Sequence, residues 1–267
     1  IYGSMAARLA KIPHIIGMLE GLGYTFTEQP QGQTVTTKII TNIQVLLYKL
    51  AFPCLQQMIF LNTDDKKDLM DTYHLSVPKV HILGGIGLDL DRFSYLPAKI
   101  EPIKFLFIGR LLKEKGVFEL IEAIRLVKKK YPLVHFTILG EIDAENMGAL
   151  KQQTLDQLVK ENLFEYPGYV LNVKDWIYES SVFVLPSYRE GVPRSTQEAM
   201  AIGRPVITTD VPGCRETVID GVNGFLVPKW NIQALADKIF YFIEHPEQVN
   251  VMGMKSRQIA QEKFDVN

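Results

Sequence analysis

Two glutamates, Glu190 and Glu198, carry the spacing in this sequence that most clearly points to chemistry. The residues from about Arg194 to Ile202 predict a helix, so at ~3.6 residues per turn both carboxylates can face one cleft. The N-terminus of that helix offers free N–H groups and a positive dipole end, which bind phosphate. Two hydroxyl-binding carboxylates flanking an anion site suit a sugar nucleotide, with diphosphate in the middle, ribose at one end and hexose at the other.

One strand–turn–helix–strand unit is predicted to position these glutamates. The run VFVLP, from Val182 to Pro186, is short, apolar and rich in β-branched residues, as in a buried strand. Pro193 suits the first turn of a helix, and Gly203 suits its end. RPVITT, from Arg204 to Thr209, predicts the next strand. The segment is therefore a βαβ unit with Glu190 in its first turn.

Two cations follow another predicted strand, KFLFIG, which ends at Gly109. Arg110 lies in the loop and Lys115 at the start of the next helix, so both can reach one diphosphate. An Arg guanidinium can donate two parallel hydrogen bonds to a phosphate, whereas the Lys ammonium acts as a point charge. An isolated pair of this kind would be interpreted as solvated surface charge. Its place between a buried strand and a helix N-terminus favours phosphate binding instead.

The segment SYREGVPRSTQEAMAIGRPVITTD, from Ser187 to Asp210, resembles the donor-site signature of retaining glycosyltransferases of family 4 (glycosyl transferases group 1). Glu190 and Glu198 match its E-x7-E pattern, and Gly109 to Gly116 match its G-R-x4-K-G pattern. The resemblance covers essentially the whole chain and is most similar to the branch that builds bacterial surface polysaccharides and lipid-linked oligosaccharides. Two surface glutamates on an ordinary βαβ unit would not explain so many agreeing neighbours.

The resemblance implies the α/β fold called GT-B, in which two Rossmann-like domains with parallel sheets face a cleft. We expect residues 1–95 to form a partial N-terminal, acceptor-side domain and residues 96–267 to form the donor-binding domain. Strands and helices alternate throughout the second region, which by itself predicts a parallel sheet covered on both faces. The opening residues have the character of the inside of a domain, so we expect the N-terminal domain to be incomplete.

The resemblance also implies roles for individual residues. Arg110 and Lys115, with the helix N-terminus near Val192, would stabilise negative charge on the departing diphosphate, and Glu190 would hold the donor hexose. These three side chains are the predicted catalytic residues. The predicted substrate-binding residues are Gly109, Glu20, Glu141, Tyr169, Val170, Gly191, Val192 and Glu198, with Glu198 on the ribose and the backbone of Tyr169 and Val170 on the base.

Glu20 departs from the pattern of the family. Many members carry a His there, at the end of the first predicted strand, and that His approaches the donor sugar. A Glu at this position can orient a sugar hydroxyl or an acceptor, or can be a loop residue without a role. The sequence leaves these alternatives open.

The resemblance implies no cofactor and no metal, with the nucleotide sugar as co-substrate. Asp89-Leu90-Asp91 is similar to the metal-binding D-x-D of another glycosyltransferase fold, but the surrounding motifs contradict that interpretation. Cys54 and Cys214 form no CxxC or Cys/His cluster, which favours a reducing cytosol without structural zinc or a disulfide framework. We expect Cys214 to be a packing residue.

The composition limits the partners. The 267 residues carry a net charge of −1 and are 47% hydrophobic, which is typical of a globular protein of one large or two medium domains. There is no basic excess for nucleic acid and no run of about twenty apolar residues for a membrane span. We expect a cytoplasmic protein, working at the inner face of the membrane where its acceptor is lipid-linked.

The helical pattern from Thr34 to Leu50 allows two interpretations. Its apolar positions are Val35, Ile39, Ile43, Leu46, Leu47 and Leu50. An amphipathic helix whose apolar face packs on the core is the expected one, and a membrane-surface helix is the alternative.

Together these features predict retaining transfer of a hexose or an N-acetylhexosamine from a nucleotide sugar, with UDP as the expected nucleotide, to a lipid-linked or polysaccharide acceptor. Two alternatives stay open at this stage. One is a sugar-nucleotide epimerase of the same fold, and the other is a non-catalytic sugar-nucleotide-binding fragment.

Overall fold

The computed structural model describes residues 1–266 and contains two parallel β-sheets. The strands are β1 (Ile16–Leu19), β2 (Gln57–Phe60), β3 (Lys79–Ile82), β4 (Lys104–Ile108), β5 (His135–Leu139), β6 (Glu165–Gly168), β7 (Val182–Leu185), β8 (Val206–Thr209) and β9 (Gly224–Val227). The first sheet has the order β1-β2-β3, and the second has the order β6-β5-β4-β7-β8-β9. We call residues 1–95 the first half and residues 96–266 the second half.

Helices connect the parallel strands within each sheet, except that β8 is joined to β9 by a segment of turns. The α-helices are α1 (Tyr2–Leu9), α2 (Val35–Ala51), α3 (Thr63–Lys67), α4 (Val117–Lys130), α5 (Gln152–Lys160), α6 (Val173–Glu179), α7 (Arg194–Ile202), α8 (Ile232–Glu244) and α9 (Glu247–Lys263). In the second half α4 packs beside α8, while α7 packs beside α6 and α9. The alternating α/β pattern and the two parallel sheets predicted from the sequence are confirmed.

The centre of the second sheet is fully buried. All four residues of β7 and all four of β8 are inaccessible to solvent, as expected of parallel strands with helices on both faces. Helix α7 occupies the residues that the sequence predicted, and it begins after Pro193 and ends at Gly203 with φ +94°. The turn between β7 and α7 therefore lies at the carboxyl edge of the sheet, where ligands bind in such folds.

The orientation of α2 is opposite to the one expected from its apolar periodicity. Its exposed residues include Val35 (75%), Ile39 (54%), Ile43 (53%), Leu46 (57%) and Leu50 (54%). Its buried residues are instead Thr37, Thr41, Val45, Tyr48 and Ala51. The prediction that these apolar positions face the core is therefore wrong.

Hydrogen bonding explains why α2 can bury its threonines. The Thr41 hydroxyl lies within hydrogen-bonding distance of the carbonyl oxygens of Thr25 and Thr37, at 2.9 Å from each. The Tyr48 ring packs near the rings of Phe26 and Phe52. A buried hydroxyl that finds an acceptor avoids most of its desolvation penalty, so a polar stripe can face the interior.

Residues outside the sheets also join the two halves. After α9 the chain returns to the segment that leaves the first half, where the Leu88 N–H donates to the Phe264 carbonyl at 2.8 Å.

Arg204 is fully buried, and its guanidinium donates to the carbonyl oxygens of Leu96, Ile177 and Tyr178 at 2.7–3.1 Å. Burial lowers the pKa of Arg204 to about 10. Arg204 thus ties the start of the second half to the C-terminal end of α6.

Candidate active site

The centre of the site is a contact between two predicted catalytic side chains. The Nζ atom of Lys115, which precedes α4, lies 2.6 Å from Oε1 of Glu190, which precedes α7. The Ser187 hydroxyl donates to the same oxygen at 2.6 Å. Both donors bind Oε1, and among residues 1–266 no group donates a hydrogen bond to the second carboxylate oxygen of Glu190, Oε2. The carboxylate is therefore held by one oxygen, and the other can accept from a ligand.

Three glycines let other backbone segments approach this centre, one from each half and one at the contact itself. A Cβ atom on Gly191 would overlap the carbonyl oxygen of Glu20, and one on Gly213 would overlap the carbonyl oxygens of Glu190 and Gly191. A Cβ atom on Gly21 would lie 3.3 Å from the Gly191 nitrogen. The structure thus places the backbone of Glu20 directly against the Glu190–Gly191 peptide. The Glu20 side chain is exposed.

Glu198 lies on α7, eight residues after Glu190, and is only 8% exposed. Its Oε1 atom accepts from Nε of Arg194 at 3.0 Å. Burial raises the pKa of Glu198, and the charges of Arg194 and Arg92 offset only part of that effect. The helix that carries Glu198 begins after Pro193, which supplies no side-chain cap, so its first N–H groups are open to an anion.

Arg110 does not share a partner with Lys115 in this structure. Its side chain is 55% exposed and lies 3.1 Å from the carboxylate of Asp143, in the loop after β5. Gly109 and Gly140 bring the loops after β4 and β5 into close contact, because a Cβ atom on Gly140 would overlap the Gly109 carbonyl. The predicted cations therefore lie in one loop but point to different carboxylates.

The remaining predicted residues lie at the same edge of the second sheet or next to it. The Glu141 carbonyl accepts from the Leu111 N–H at 3.0 Å, which holds the loop after β5 beside the loop after β4. Tyr169, directly after β6, is 68% exposed, and Val170 packs partly against the core. Val192 is buried in the core, so only its backbone can serve a ligand.

Cys214 packs beneath this centre. It is fully buried, and burial raises its pKa to about 12, with a further contribution from the negative charge of Glu190. A protonated thiol is a poor nucleophile, so the structure agrees with the packing role expected for this residue.

The sequence did not reveal four residues that hold the 190 region. Ser187 lies inside the recognised segment, and its nearness to Glu190 was the available signal. Asn62 and Asp65 of the first half reach across to the second half, where Asn62 Nδ2 donates to the Gly191 carbonyl at 2.6 Å and Asp65 Oδ1 accepts from Arg189 Nε at 3.1 Å. Each of these two contacts joins residues more than 120 positions apart in the sequence, and no local spacing indicates such a contact.

The described residues form neither a metal cluster nor a membrane-spanning helix. Across residues 1–266, no three His, Cys, Asp or Glu side chains gather in a way that could hold a metal ion. Over the same residues, none of the helices combines the length and apolar character needed to cross a bilayer.

Comparison with known proteins identifies the family. The family described as Glycosyl transferases group 1 matches residues 92–259, more than half of the chain. This chain belongs to that family. The match includes the Lys115–Glu190 centre, Glu198 and the whole of α7, and so confirms the family recognised from the sequence.

Two curated relatives of this glycosyltransferase-family chain are glycosyltransferases by name, one for an undecaprenol-linked acceptor and one for a capsular polysaccharide. It is 29% identical over 258 residues to N,N'-diacetylbacillosaminyl-diphospho-undecaprenol alpha-1,3-N-acetylgalactosaminyltransferase of Campylobacter jejuni, covering 91% of this chain and 65% of the relative. It is 30% identical over 236 residues to the capsular polysaccharide biosynthesis glycosyltransferase CapM of Staphylococcus aureus, covering 82% of this chain and 60% of the relative. The chain thus spans less than two thirds of the length of these relatives.

A solved structure shows the same fold. The complex of HepE from Anabaena with UDP and glucose superposes with a TM-score of 0.77 at 21% identity, covering 99% of this chain and 71% of that chain. The likeness confirms the GT-B fold class expected from the sequence for this glycosyltransferase-family chain.

The close approach of Gly191 to Glu20 predicts the effect of adding one methyl group. Gly191→Ala forces the two halves apart or strains the turn, because the new Cβ overlaps a backbone oxygen that cannot rotate away. We expect the free energy of unfolding in urea to fall by about 1–3 kcal/mol, the usual cost of overpacking.

Gly3→Ala serves as the control for this prediction. A Cβ atom at Gly3 meets no atom within 4 Å, and Ala favours a helix more than Gly does, so this variant should unfold at the wild-type urea concentration or slightly above it. Equal stability of Gly191→Ala and wild type would contradict the packing described for the turn.

Proposed function

We propose that this chain transfers a hexose or an N-acetylhexosamine from a UDP-sugar, with retention at the anomeric carbon, to a lipid-linked or polysaccharide acceptor of a surface glycan. The observation that carries the proposal is the Lys115–Glu190 contact beside the start of α7, in a chain of the glycosyltransferase family. Family membership supports glycosyl transfer. The names of the relatives support the acceptor classes, and the UDP complex of the structural neighbour supports the nucleotide.

Stabilisation of the leaving group is the main catalytic step in this proposal. As the bond from the anomeric carbon to the diphosphate breaks, negative charge grows on the diphosphate. Lys115, Arg110 and the first N–H groups of α7 are the groups that would receive this charge. Removing one such contact typically costs roughly 3–4 kcal/mol, or ~100- to 1000-fold in rate.

Arg110 is available for this role although it pairs with Asp143. Both side chains of that pair are partly exposed, and an exposed ion pair contributes only about 0–1 kcal/mol. A diphosphate can accept two charge-assisted hydrogen bonds from the guanidinium, and such a bidentate contact is stronger than the exposed ion pair. We therefore propose that Arg110 exchanges Asp143 for the donor when the donor binds.

The two glutamates bind hydroxyl groups in this mechanism. Glu190, held by Lys115 and Ser187 through Oε1, uses Oε2 for the donor hexose, while Glu198 accepts from the ribose. The backbone of Gly109, Glu141, Gly191 and Val192 borders the diphosphate and sugar. Tyr169 and Val170 border the base, and Glu20 approaches the hexose from the first half.

No separate base, cofactor or metal ion is required in the proposed mechanism. The leaving phosphate oxygen takes the proton of the acceptor hydroxyl on the face from which the diphosphate departs, which gives retention. The proposed site of action is the cytoplasm, at the inner face of the membrane when the acceptor is lipid-linked. Nucleic acid is not among the proposed partners, because the chain has a net charge of −1.

A turnover experiment tests the proposal. The protein is incubated with labelled UDP-hexoses and UDP-N-acetylhexosamines, each with and without an undecaprenyl-diphosphate-linked sugar. We expect labelled lipid from one donor, and loss of ~100- to 1000-fold in rate for Lys115→Met and Glu190→Gln. Lys113→Met is the matched control, because Lys113 lies two residues away on an exposed contact with Gln31 and should keep the wild-type rate.

Each other outcome of that experiment identifies an alternative. A free epimer of the donor sugar would identify an epimerase. Nucleotide binding without any product would identify a sugar-nucleotide-binding protein. Full activity of Lys115→Met would remove the proposed leaving-group role even if transfer occurs.

A second part of the proposal concerns the membrane. We call the exposed residues Val35, Ile39, Ile43, Leu46 and Leu50 the α2 surface. Helix α2 carries Lys38 and Lys49 and contains no acidic residue, so the α2 surface is a wide apolar stripe on a basic helix. An interfacial helix has this character, with apolar side chains among the acyl chains and cations on anionic headgroups. We propose that the α2 surface contacts an anionic bilayer.

Vesicle co-sedimentation tests the membrane contact. We expect binding to phosphatidylglycerol vesicles and weaker binding to phosphatidylcholine vesicles. The Ile39→Ser and Leu46→Ser double variant should bind at least about 10-fold more weakly, since each buried aliphatic side chain contributes roughly 1.5–3 kcal/mol. The control is Val251→Ser with Met254→Ser, which removes equally exposed apolar side chains from α9. Equal loss in both double variants, or no vesicle binding by wild type, would contradict the proposal.

A further inference from the structure

We infer that Asn62 and Asp65, in the first half, are positioning residues that set the place of Glu190 in the second half. Both side chains are fully buried, and both contact the turn Tyr188–Gly191, which we call the 188–191 turn. Neither residue belongs to the donor-site signature recognised in the sequence. The inference rests on the proposed function, since it assigns them a task in that reaction.

Asn62 links the start of α3 to the 188–191 turn. Its Oδ1 atom accepts from the Asp65 N–H at 2.7 Å and so caps α3. Its Nδ2 group donates to the Gly191 carbonyl at 2.6 Å and to Asp65 Oδ2 at 3.1 Å. All polar atoms of the amide are therefore engaged, and its orientation is fixed by α3. A fixed donor in the first half thus determines where the Gly191 peptide lies.

Asp65 holds the same turn through a charge. Its Oδ1 atom accepts from Nε of Arg189 at 3.1 Å and also from Nη2 of that guanidinium. Nη2 donates to Asp68 Oδ2 at 2.6 Å as well. The Arg189 side chain is only 10% exposed, so the pairing is shielded from water. Arg189 is thus fixed to the first half, whereas the neighbouring Glu190 contacts Lys115 of the second half.

The ionisation of this pair depends on its geometry. Burial raises the pKa of Asp65, and the guanidinium of Arg189 lowers it in part. Burial also lowers the pKa of Arg189, but the carboxylates of Asp65 and Asp68 outweigh this effect and raise it overall. The charged state of Asp65 therefore needs Arg189 beside it, and separating the halves would leave both charges without their partner.

Adjacent side chains of the turn consequently have opposite anchors. Arg189 is bound to Asp65 and Asp68 of the first half, while Glu190 is bound to Lys115 and Ser187 of the second half. The Gly191 peptide also lies against Glu20. A small shift of the turn would change how Glu190 faces the first half, from which the acceptor approaches. A misplacement of about 1 Å in a reacting group can cost ~100-fold in rate.

A stability effect has to be separated from a positioning effect. Asp65→Asn alone leaves the buried Arg189 charge without its main partner and destabilises the fold. The double variant Asp65→Asn with Arg189→Met removes both charges, and such replacements restore stability in many proteins. We expect the melting temperature to fall in the single variant and to recover in the double variant.

The kinetic expectation differs from the stability expectation. If the pair positions Glu190, the kcat of the double variant for transfer stays ~100-fold low although its melting temperature has recovered. If the pair is only structural, kcat recovers together with the melting temperature. Recovery of kcat in the stable double variant would overturn the inference.

Asp64→Asn is the matched control. Asp64 is the neighbour of Asp65 on α3, and it also pairs across the halves, with Arg215 at 2.8 Å. That pair is partly exposed and does not contact the 188–191 turn. We expect Asp64→Asn to keep the wild-type kcat and melting temperature. A loss of kcat equal to that of the double variant would show a general effect of interface charge and would also overturn the inference.

Hydrogen–deuterium exchange measures the positioning without turnover. In the ligand-free protein, amides in peptides that cover the 188–191 turn should exchange faster in the double variant than in wild type, while peptides from β5 should exchange equally. Equal exchange at the turn would overturn the inference. Because this readout needs no substrate, it decides the inference even if the wild type transfers no sugar, and the two failures are distinguishable.

Discussion

The site depends on the close approach of two backbone segments, Glu20–Gly21 in the first half and Glu190–Gly191 in the second. A Cβ atom on Gly191 would overlap the Glu20 carbonyl oxygen, so the absence of a side chain at position 191 is what permits the contact. This constraint places the turn that carries Glu190 at the boundary of the halves and not merely at the edge of one sheet. A group at such a boundary can respond to both a donor bound on one side and an acceptor approaching from the other.

In the ion pairs named here that cross the boundary, the second half supplies the cation and the first half supplies the carboxylate. Arg189, Arg215 and Lys229 of the second half face acidic residues of the first half, with Asp65 and Asp68 on Arg189, Asp64 on Arg215 and Glu28 on Lys229. The Arg189 pairing is shielded, whereas the other two are partly exposed. Exposed pairs contribute little at physiological salt, so the buried Arg189 cluster is the dominant electrostatic link between the halves.

The sequence predicted the local architecture of the site well because strands, turns and helices leave local signals. The buried run before Glu190, Pro193 at the start of α7 and Gly203 at its end defined the βαβ unit. Local spacing did not predict the partner of Lys115. Spacing suggested that Lys115 and Arg110 share a diphosphate, while the structure pairs Lys115 with Glu190, 75 residues away. The residue roles at the site remain predictions, since geometry alone does not assign them.

The same limit explains α2. Apolar periodicity identified the helix and its bounds, but a period does not reveal which face packs inward. Thr41 faces the interior because its hydroxyl donates to the Thr25 carbonyl there. Tyr48 faces the interior because its ring packs near the rings of Phe26 and Phe52. Those partners come from other segments, so only the folded chain shows that the isoleucine and leucine stripe faces outward.

The central claim is that α7 and its two glutamates form a nucleotide-sugar site, and titration calorimetry with UDP tests it most directly. Burial raises the pKa of Glu198, so this carboxylate takes up its proton at a higher pH than an ordinary glutamate. UDP should bind wild type at neutral pH and more weakly on acidification, and Glu198→Gln should bind weakly throughout. Protonation of UDP itself affects both proteins alike, so the difference between them isolates Glu198. Equal UDP affinity and equal pH dependence in wild type and Glu198→Gln would contradict the account.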